Sequence, residues 1–190
     1  MAQKVSHPVA IFEHGFVMIP ARRQKDEITV TEQQIWVAAT VALTAVLLAI
    51  SVVDLRHFRI PDALSLPLIV SGLLLAWALP DMLTGGPPGQ SAFADHLVGA
   101  SGGFLLFAAL GEVIFRRTGQ EALGLGDAKL FAAAGAWLGW QALPAVLLIA
   151  SLGGIGFALI LRHRHGPSPI AFGPWIALGF IVMWLSSAAR

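Results

Sequence analysis

Long apolar segments, separated by proline, glycine or charged residues, dominate the chain after residue 33. They predict six helices, near residues 34–53, 63–80, 95–115, 128–140, 142–161 and 170–187. A membrane-spanning helix needs about 20 predominantly apolar residues, so the fourth predicted helix is short for a span. The pattern therefore predicts an all-α fold, a polytopic membrane protein built as a bundle of about six transmembrane helices.

The first 33 residues differ in character from the rest of the chain. Eight of the 23 Asp, Glu, Lys and Arg residues precede residue 34. The segment lacks the features of a secretory signal peptide, which are a basic start, an apolar stretch directly after it and a small-residue cleavage site. We therefore divide the chain into a polar N-terminal tail, residues 1–33, and a six-helix membrane domain, residues 34–190.

Composition supports a membrane protein and excludes several classes of site. Hydrophobic residues make up 56% of the chain and charged residues 12%, whereas charged residues are about a quarter of a soluble domain. The mean hydropathy is +0.75. The net charge of +1 gives no reason to expect a nucleic-acid partner. The sequence contains no cysteine, which excludes disulfides, thiolate zinc sites and cysteine nucleophiles.

Arginine pairs in alternate loops predict the orientation of the helices. The pairs are Arg56 and Arg59, Arg116 and Arg117, and Arg162 and Arg164. The loops between them, around residues 81–94 and 139–142, carry neither lysine nor arginine. Because short cytoplasmic loops are enriched in basic residues, the arginine side is predicted to be cytoplasmic. Both termini then lie outside, which puts three basic residues of the tail on the less favoured face.

Two aspartates lie at helix ends on this predicted inner face. Asp54 ends the first helix and Asp127 precedes the fourth, so helix alternation brings them to one side although 73 positions separate them. An ionisable residue in an apolar helix is energetically costly and is a candidate functional residue. Two neighbouring carboxyl groups share one proton, so one can accept a proton from water while the other donates to a carbonyl oxygen. This chemistry hydrolyses amides and needs neither metal nor cofactor.

Structural roles for the same residues remain open at this point. Asp54 alone is typical of an interfacial charge at a helix end, Asp127 of an N-cap, and Lys129 of a snorkelling anchor. Gly124 and Gly126 lack a Cβ, which permits positive φ and close approach of another backbone, such as an extended substrate strand. A peptidase and a proton-coupled transporter using the two carboxylates are equally consistent with the pattern. A structural membrane scaffold is a third reading.

Four motifs, taken in order, resemble a known family. Gly124-Leu125-Gly126-Asp127, followed by Lys129-Leu130, resembles the GxGD signature of membrane aspartyl proteases, in the GxGDxKL form of bacterial type IV prepilin peptidases. Three further blocks are similar to that family in order and spacing. They are Asp54-Leu-Arg-His-Phe-Arg-Ile-Pro-Asp62 with Leu64-Ser-Leu-Pro67 and Gly72-Leu73; Gly135-Ala-Trp-Leu-Gly139 with Leu143-Pro144 and Ser151-Leu-Gly-Gly154; and Ile170-Ala-Phe172-Gly173-Pro174. The resemblance covers about residues 50–180.

The resemblance implies a set of site residues. They are the catalytic pair Asp54 and Asp127, the active-site loop residues Gly124, Gly126 and Lys129, and the candidate substrate-binding residues Phe172, Gly173 and Pro174. The implied substrate is a prepilin or pseudopilin in the inner membrane, whose short basic leader is cut at the cytoplasmic face. A peptidase acting on other small membrane proteins is the alternative among proteases. No metal or cofactor is implied.

One departure from the family changes the expected product. Larger members carry an N-terminal domain with paired-cysteine motifs, which is associated with methylation of the new N-terminus. This chain has no cysteine and about 33 residues before its first predicted helix. We therefore expect cleavage without methylation, or methylation by a separate protein.

The remaining polar and aromatic residues have simpler interpretations. Glu112 and Arg116 are four positions apart and predict an ion pair on one helix face, with a supporting role at the site as the minority reading for Glu112. Asp62 is expected to cap the second helix, with a role as an accessory acid as the minority reading. Glu121 could polarise the site or solvate the loop before the glycine motif, and solvation is the favoured interpretation. Most of the six tryptophans fall near predicted helix ends, as in interfacial aromatic belts.

Overall fold

The computed structural model describes residues 21–79, 92–119, 124–165 and 171–187. The first 20 residues of the predicted tail, most of the loop around residues 81–94, and Glu121 lie outside the described residues. The chain divides into two compact units, residues 1–35 and residues 36–190. The candidate site described below belongs to the second unit.

All regular secondary structure in the described part of the chain is helical. The helices are α1 (Ala21–His57), α2 (Asp62–Ala78), α3 (Ala92–Thr118), α4 (Leu125–Leu138), α5 (Leu143–His165) and α6 (Gly173–Ser187), with a 3₁₀ turn at Trp140–Ala142. The predicted all-α membrane class is confirmed. The largest difference is at α1, which begins in the segment predicted as a polar tail. Hydropathy marks only the apolar part of a helix, whereas Arg, Lys, Gln and Glu are also good helix formers.

Helix length separates the bundle into two groups. Within the described residues, the segments long and apolar enough to cross a membrane are Gln33–His57, Phe93–Thr118 and Trp140–Ile160. The helices α2, α4 and α6 have only 17, 14 and 15 residues. At 1.5 Å per residue α4 is about 21 Å long, against a hydrocarbon core of about 30 Å. The prediction that the fourth helix is short is therefore confirmed.

The short helix α4 lies at the centre of the bundle. It packs against α2, α3, α5 and α6. Nine of its 14 residues are buried, and most of these are alanine or glycine. A Cβ placed on Gly135 would lie 2.3 Å from the backbone carbon of Gly99 in α3. Small residues allow such close approach between membrane helices, so α4 is held tightly among its neighbours.

Two tryptophans lie inside the bundle, and the interpretation of the tryptophans as an interfacial belt is wrong for them. Trp137 and Trp184 are 5% and 1% exposed. The indole N–H of Trp137 donates to the carbonyl oxygen of Leu68, and that of Trp184 to Oγ1 of Thr40, both over 2.8 Å. A buried indole needs such a partner for its N–H. These bonds connect α4 to α2 and α6 to α1.

Candidate active site

Asp54 lies where the last turn of α1 meets the start of α6. Its side chain is buried, with 5% of the residue exposed. The backbone N–H of Gly173, the first residue of α6, donates to Asp54 Oδ2 over 3.0 Å. The N–H groups of a first helical turn have no partner within the helix, and the helix dipole favours negative charge there. The start of α6 therefore stabilises a negative charge on the Asp54 carboxylate.

Asp127 lies in the first turn of α4, three residues after the N-cap. The N-cap residue is Gly124, which has an extended backbone. The carboxylate of Asp127 accepts a hydrogen bond from the Gly124 backbone. A side chain at this position that bonds back to the N-cap residue forms one half of a capping box. Asp127 is therefore part of the cap of α4 without being its N-cap residue.

The two aspartates line one cavity of about 550 Å³. Its walls come from the end of α1 and the following loop, from the second half of α3, and from the start of α4. The lining residues are Asp54, Phe58, Arg59, Ile60, Phe107, Ala108, Gly111, Glu112, Phe115, Gly124, Leu125, Gly126 and Asp127. Two carboxyl groups in one cavity provide a proton acceptor and a proton donor for hydrolysis.

The glycines of the GxGD motif differ from expectation in conformation. Gly124 has φ −76° and Gly126 is helical, so neither uses positive φ. The expected close approach does occur at Gly126, where an added Cβ would lie 2.9 Å from Cβ of Ile60. The neighbour is therefore the chain's own loop after α1. Gly126 allows this loop to lie directly against the start of α4, beside Asp127.

Lys129 connects two helices at the edge of the site. Its Nζ donates to Oδ1 of Asp62 over 2.5 Å. Asp62 is the first residue of α2, and the N-cap of that helix is Pro61. Asp62 is therefore not the N-cap residue but an acidic residue of the first turn, where the helix dipole favours negative charge. Lys129 is not among the described residues that line the cavity, so its contact is with the structure that surrounds the aspartates.

The three residues of the predicted substrate-binding loop have different surroundings. Gly173 contacts Asp54 directly, and an added Cβ there would lie 2.6 Å from Asp54 Oδ2. Phe172 lies beside Gly154 of α5, where an added Cβ would be 3.1 Å from its ring. Pro174 is in the first turn of α6, where a missing N–H costs no helical bond. Among the three, Gly173 is the residue that reaches an aspartate.

Several further residues line the cavity, and of these the sequence suggested only Glu112, as a minority reading. Glu112 forms the predicted ion pair with Arg116, with 2.6 Å between Oε1 and Nε, but it also lines the cavity. Phe58, Arg59 and Phe115 line it as well. A charged residue at the arginine-rich end of an apolar helix was the available signal for Glu112. No pattern marks the two phenylalanines, since exposed and cavity-lining aromatic residues look alike in a sequence.

No group of three or more His, Asp or Glu side chains that could hold a metal ion occurs within the residues described.

Comparison with known proteins places the chain in a family. The sequence profile of the type IV leader peptidase family matches residues 41–159, more than half of the chain. The chain belongs to the type IV leader peptidase family. The matched range contains Asp54 and the whole segment from Gly124 to Asp127. The resemblance drawn from the four motifs is confirmed.

Relatives within the leader peptidase family are similar over most of this chain. It is 43% identical over 157 residues to the prepilin leader peptidase/N-methyltransferase of Aeromonas salmonicida strain A449, covering 80% of the chain and 51% of the relative. It is 42% identical over 139 residues to the protein of that name in Escherichia coli K12, covering 71% and 57%. The chain spans about half the length of these curated relatives. No solved structure matches the chain.

Proposed function

We propose that this chain is a membrane aspartyl endopeptidase that cleaves the leader peptide of prepilins or pseudopilins. The observation that carries the proposal is the placement of Asp54 and Asp127 on one cavity in a member of the leader peptidase family. The relatives named above are prepilin leader peptidases. The cavity is lined by both apolar and polar side chains, a combination that is usual in ligand-binding sites.

In the proposed mechanism the two carboxyl groups hold one proton between them. The ionised carboxylate takes a proton from a water molecule, and the water oxygen forms a bond to the scissile carbonyl carbon. The protonated carboxyl donates its proton to the carbonyl oxygen, which gives a neutral tetrahedral intermediate. Collapse of this intermediate breaks the C–N bond: one hydroxyl group gives its proton to the ionised carboxylate, and the protonated carboxyl donates a proton to the leaving nitrogen, so the pair again holds one proton. Atoms and charges balance without a covalent enzyme intermediate.

The decisive experiment is a cleavage assay with a tagged prepilin in proteoliposomes, comparing wild type with Asp54→Asn and Asp127→Asn. Asparagine keeps the size of the side chain but cannot transfer a proton, so each change is expected to lower the rate by at least about a hundredfold. Asp95→Asn is the matched control, because Asp95 bonds to Trp140 and Gln141 beyond the opposite end of α4. Persistent cleavage by Asp127→Asn would show that the assignment is wrong.

We propose further that the cavity faces the cytoplasm. Support comes from Arg59, which lines the cavity, and from the exposed Arg116 of α3, because basic residues favour the inner face. The cysteine-free sequence offers a clean test with single cysteines and a membrane-impermeant thiol reagent. Leu125→Cys, at the exposed edge of the cavity, should be labelled in inverted vesicles. Ala78→Cys, at the far end of α2, should be labelled in right-side-out vesicles.

We also propose that these 190 residues cleave the substrate without methylating it, which the absence of cysteine supports. Mass spectrometry of the new N-terminus after incubation with S-adenosylmethionine tests this point. An unmethylated product is expected. A product heavier by one methyl group would contradict the proposal.

A further inference from the structure

Phe58 has an unusual backbone conformation. Among the residues that the structure describes, it is the only one other than glycine with positive φ, at 51°. Its N–H donates to the carbonyl oxygen of Asp54 over 2.8 Å. This bond, with a left-handed residue directly after the helix, is the αL motif that ends many helices, and glycine usually occupies that position. A bulky side chain in the left-handed region is unfavourable.

Burial does not compensate for this conformation. Phe58 is 53% exposed, so its ring contributes little to the packing of the bundle. A residue in a strained conformation persists only where the surrounding structure or the function requires it, and such residues cluster at ligand sites. Glycine in the same place would end α1 without strain. The side chain of Phe58 therefore has no evident role in holding the fold.

The surroundings of Phe58 suggest a role in binding. It lines the same cavity as Asp54 and Asp127. It follows Asp54 by four positions, about one helical turn. Two more exposed apolar residues, Phe115 at 46% and Leu125 at 63%, also line the cavity. An extended peptide whose scissile bond lies at the carboxylates would thus meet an apolar wall beside that bond.

We propose that Phe58 is a specificity-determining residue, which binds a large apolar side chain of the peptide substrate next to the scissile bond. The inference rests on the proposed function, because it assigns a contact within that same site. Burial of an aromatic ring against an apolar side chain supplies binding energy without taking part in proton transfer. Loss of the ring should therefore weaken substrate binding more than it slows the chemical step.

The first experiment compares wild type with Phe58→Gly and Phe58→Trp in proteoliposomes and measures Tm, KM and kcat with a tagged prepilin. Phe58→Gly should have an unchanged or higher Tm, because glycine adopts positive φ without strain. Its KM should rise about tenfold, with kcat within about threefold of wild type, as expected for one lost apolar contact. Phe58→Trp should keep the KM of the wild type.

Leu55→Ala is the matched control for a role as a membrane anchor. Leu55 is 56% exposed, lies on the last turn of α1 and is not among the described residues that line the cavity. If Phe58 only contacted lipid, Phe58→Gly and Leu55→Ala would change KM alike. We expect Leu55→Ala to leave KM unchanged.

A second experiment tests the contact itself with a double-mutant cycle. Substrates in which the large apolar residue beside the scissile bond is replaced by serine should show a raised KM with wild type. With the Phe58→Gly variant, the KM of these substrates should be almost the same as that of the unchanged substrate, because the ring that contacts the apolar residue is already absent. Independent, additive effects would overturn the inference.

The outcomes separate the two levels of the proposal. Cleavage by wild type together with an unchanged KM for Phe58→Gly would contradict the role of Phe58 and leave the proposed function standing. If Phe58→Gly had a lower Tm, and if its kcat fell by the same factor as its KM rose, the role of Phe58 would be structural instead. Absence of cleavage by well-folded wild type would contradict the proposed function and this inference with it.

Discussion

The backbone N–H of Gly173 donates to Oδ2 of Asp54 over 3.0 Å, although 119 positions separate the two residues in sequence. The bond joins the first turn of α6 to the last turn of α1. An added Cβ on Gly173 would lie 2.6 Å from the same oxygen. This contact leaves no room for a side chain at position 173, so glycine is needed there for Asp54 to keep its place.

Gly173→Ala is therefore expected to impair cleavage while the protein still folds. The methyl group must displace either the Asp54 carboxylate or the start of α6, and small misplacements of catalytic groups cost about a hundredfold in rate. The measurement is kcat in the prepilin assay, with Tm in detergent as the check on folding. Gly156→Ala is the control, since an added Cβ at Gly156 meets nothing within 4 Å. Equal activity of the two variants would contradict this interpretation of the contact.

The pair of Lys129 and Asp62 supports a second prediction. The pair joins α4 to the first residue of α2. The loop just before α2 contains Ile60, which lies against Gly126 of α4. Lys129→Met should lower kcat several-fold by loosening this loop. It should change the free energy of unfolding by less than about 1 kcal/mol, because a partly exposed ion pair contributes little to stability.

The reversed pair, Lys129→Asp with Asp62→Lys, tests whether the attraction itself matters. It should recover part of the kcat that either single change removes, and the interaction is read from a double-mutant cycle. If the reversed pair is no more active than the single variants, the ion pair does not position the loop.

The close contact of α3 and α4 supports a prediction about stability. An added Cβ on Gly135 would lie 2.3 Å from backbone atoms of Gly99. Because these atoms belong to the main chain of α3, the clash cannot be relieved by the movement of a flexible side chain. Gly135→Ala should lower the free energy of unfolding by about 1–3 kcal/mol, as overpacking does. The measurement is Tm in detergent. Gly102→Ala, in open space on α3, should have no such effect, and an unchanged Tm for Gly135→Ala would show that the helices can separate freely.

The pH dependence of cleavage follows from the proposed sharing of one proton. Below the optimum both carboxyl groups are protonated and no base remains to activate water. Above the optimum both are ionised and no acid remains to protonate the carbonyl oxygen. The plot of kcat/KM against pH should therefore be bell-shaped. A single sigmoidal rise to a plateau would contradict a mechanism with two carboxyl groups.

The sequence was sufficient to predict the number and order of the helices described, but not where α1 begins, and to predict that the two aspartates meet. Apolar segments of helical length, with proline and glycine between them, determine the number of helices, and alternation then determines which ends meet. Asp54 and Asp127 therefore come to one cavity, as expected. Their catalytic role stays a prediction, and so does the division of the chain at residue 33.

Other features depend on how each helix is rotated and packed against its neighbours, and a hydropathy profile gives no information on either. The burial of Trp137 and Trp184 follows from the direction in which each helix face points. The partner of Lys129 is 67 positions away, so no local pattern could identify it. Phe58 occupies a backbone conformation that sequence analysis assigns to glycine, which is why its placement could not be predicted.

The first turn of α6 donates the backbone N–H of Gly173 to Asp54, and Asp127 itself lies in the first turn of α4. Peptide dipoles neither titrate nor diffuse away, so the pair has a permanent counter-charge of about half a unit at each helix start. The protonation state of Asp54 and Asp127 can therefore change during a reaction without the arrival or departure of a counter-ion. A catalytic pair in an environment poor in mobile ions can in this way complete each turnover with the charges already built into its main chain.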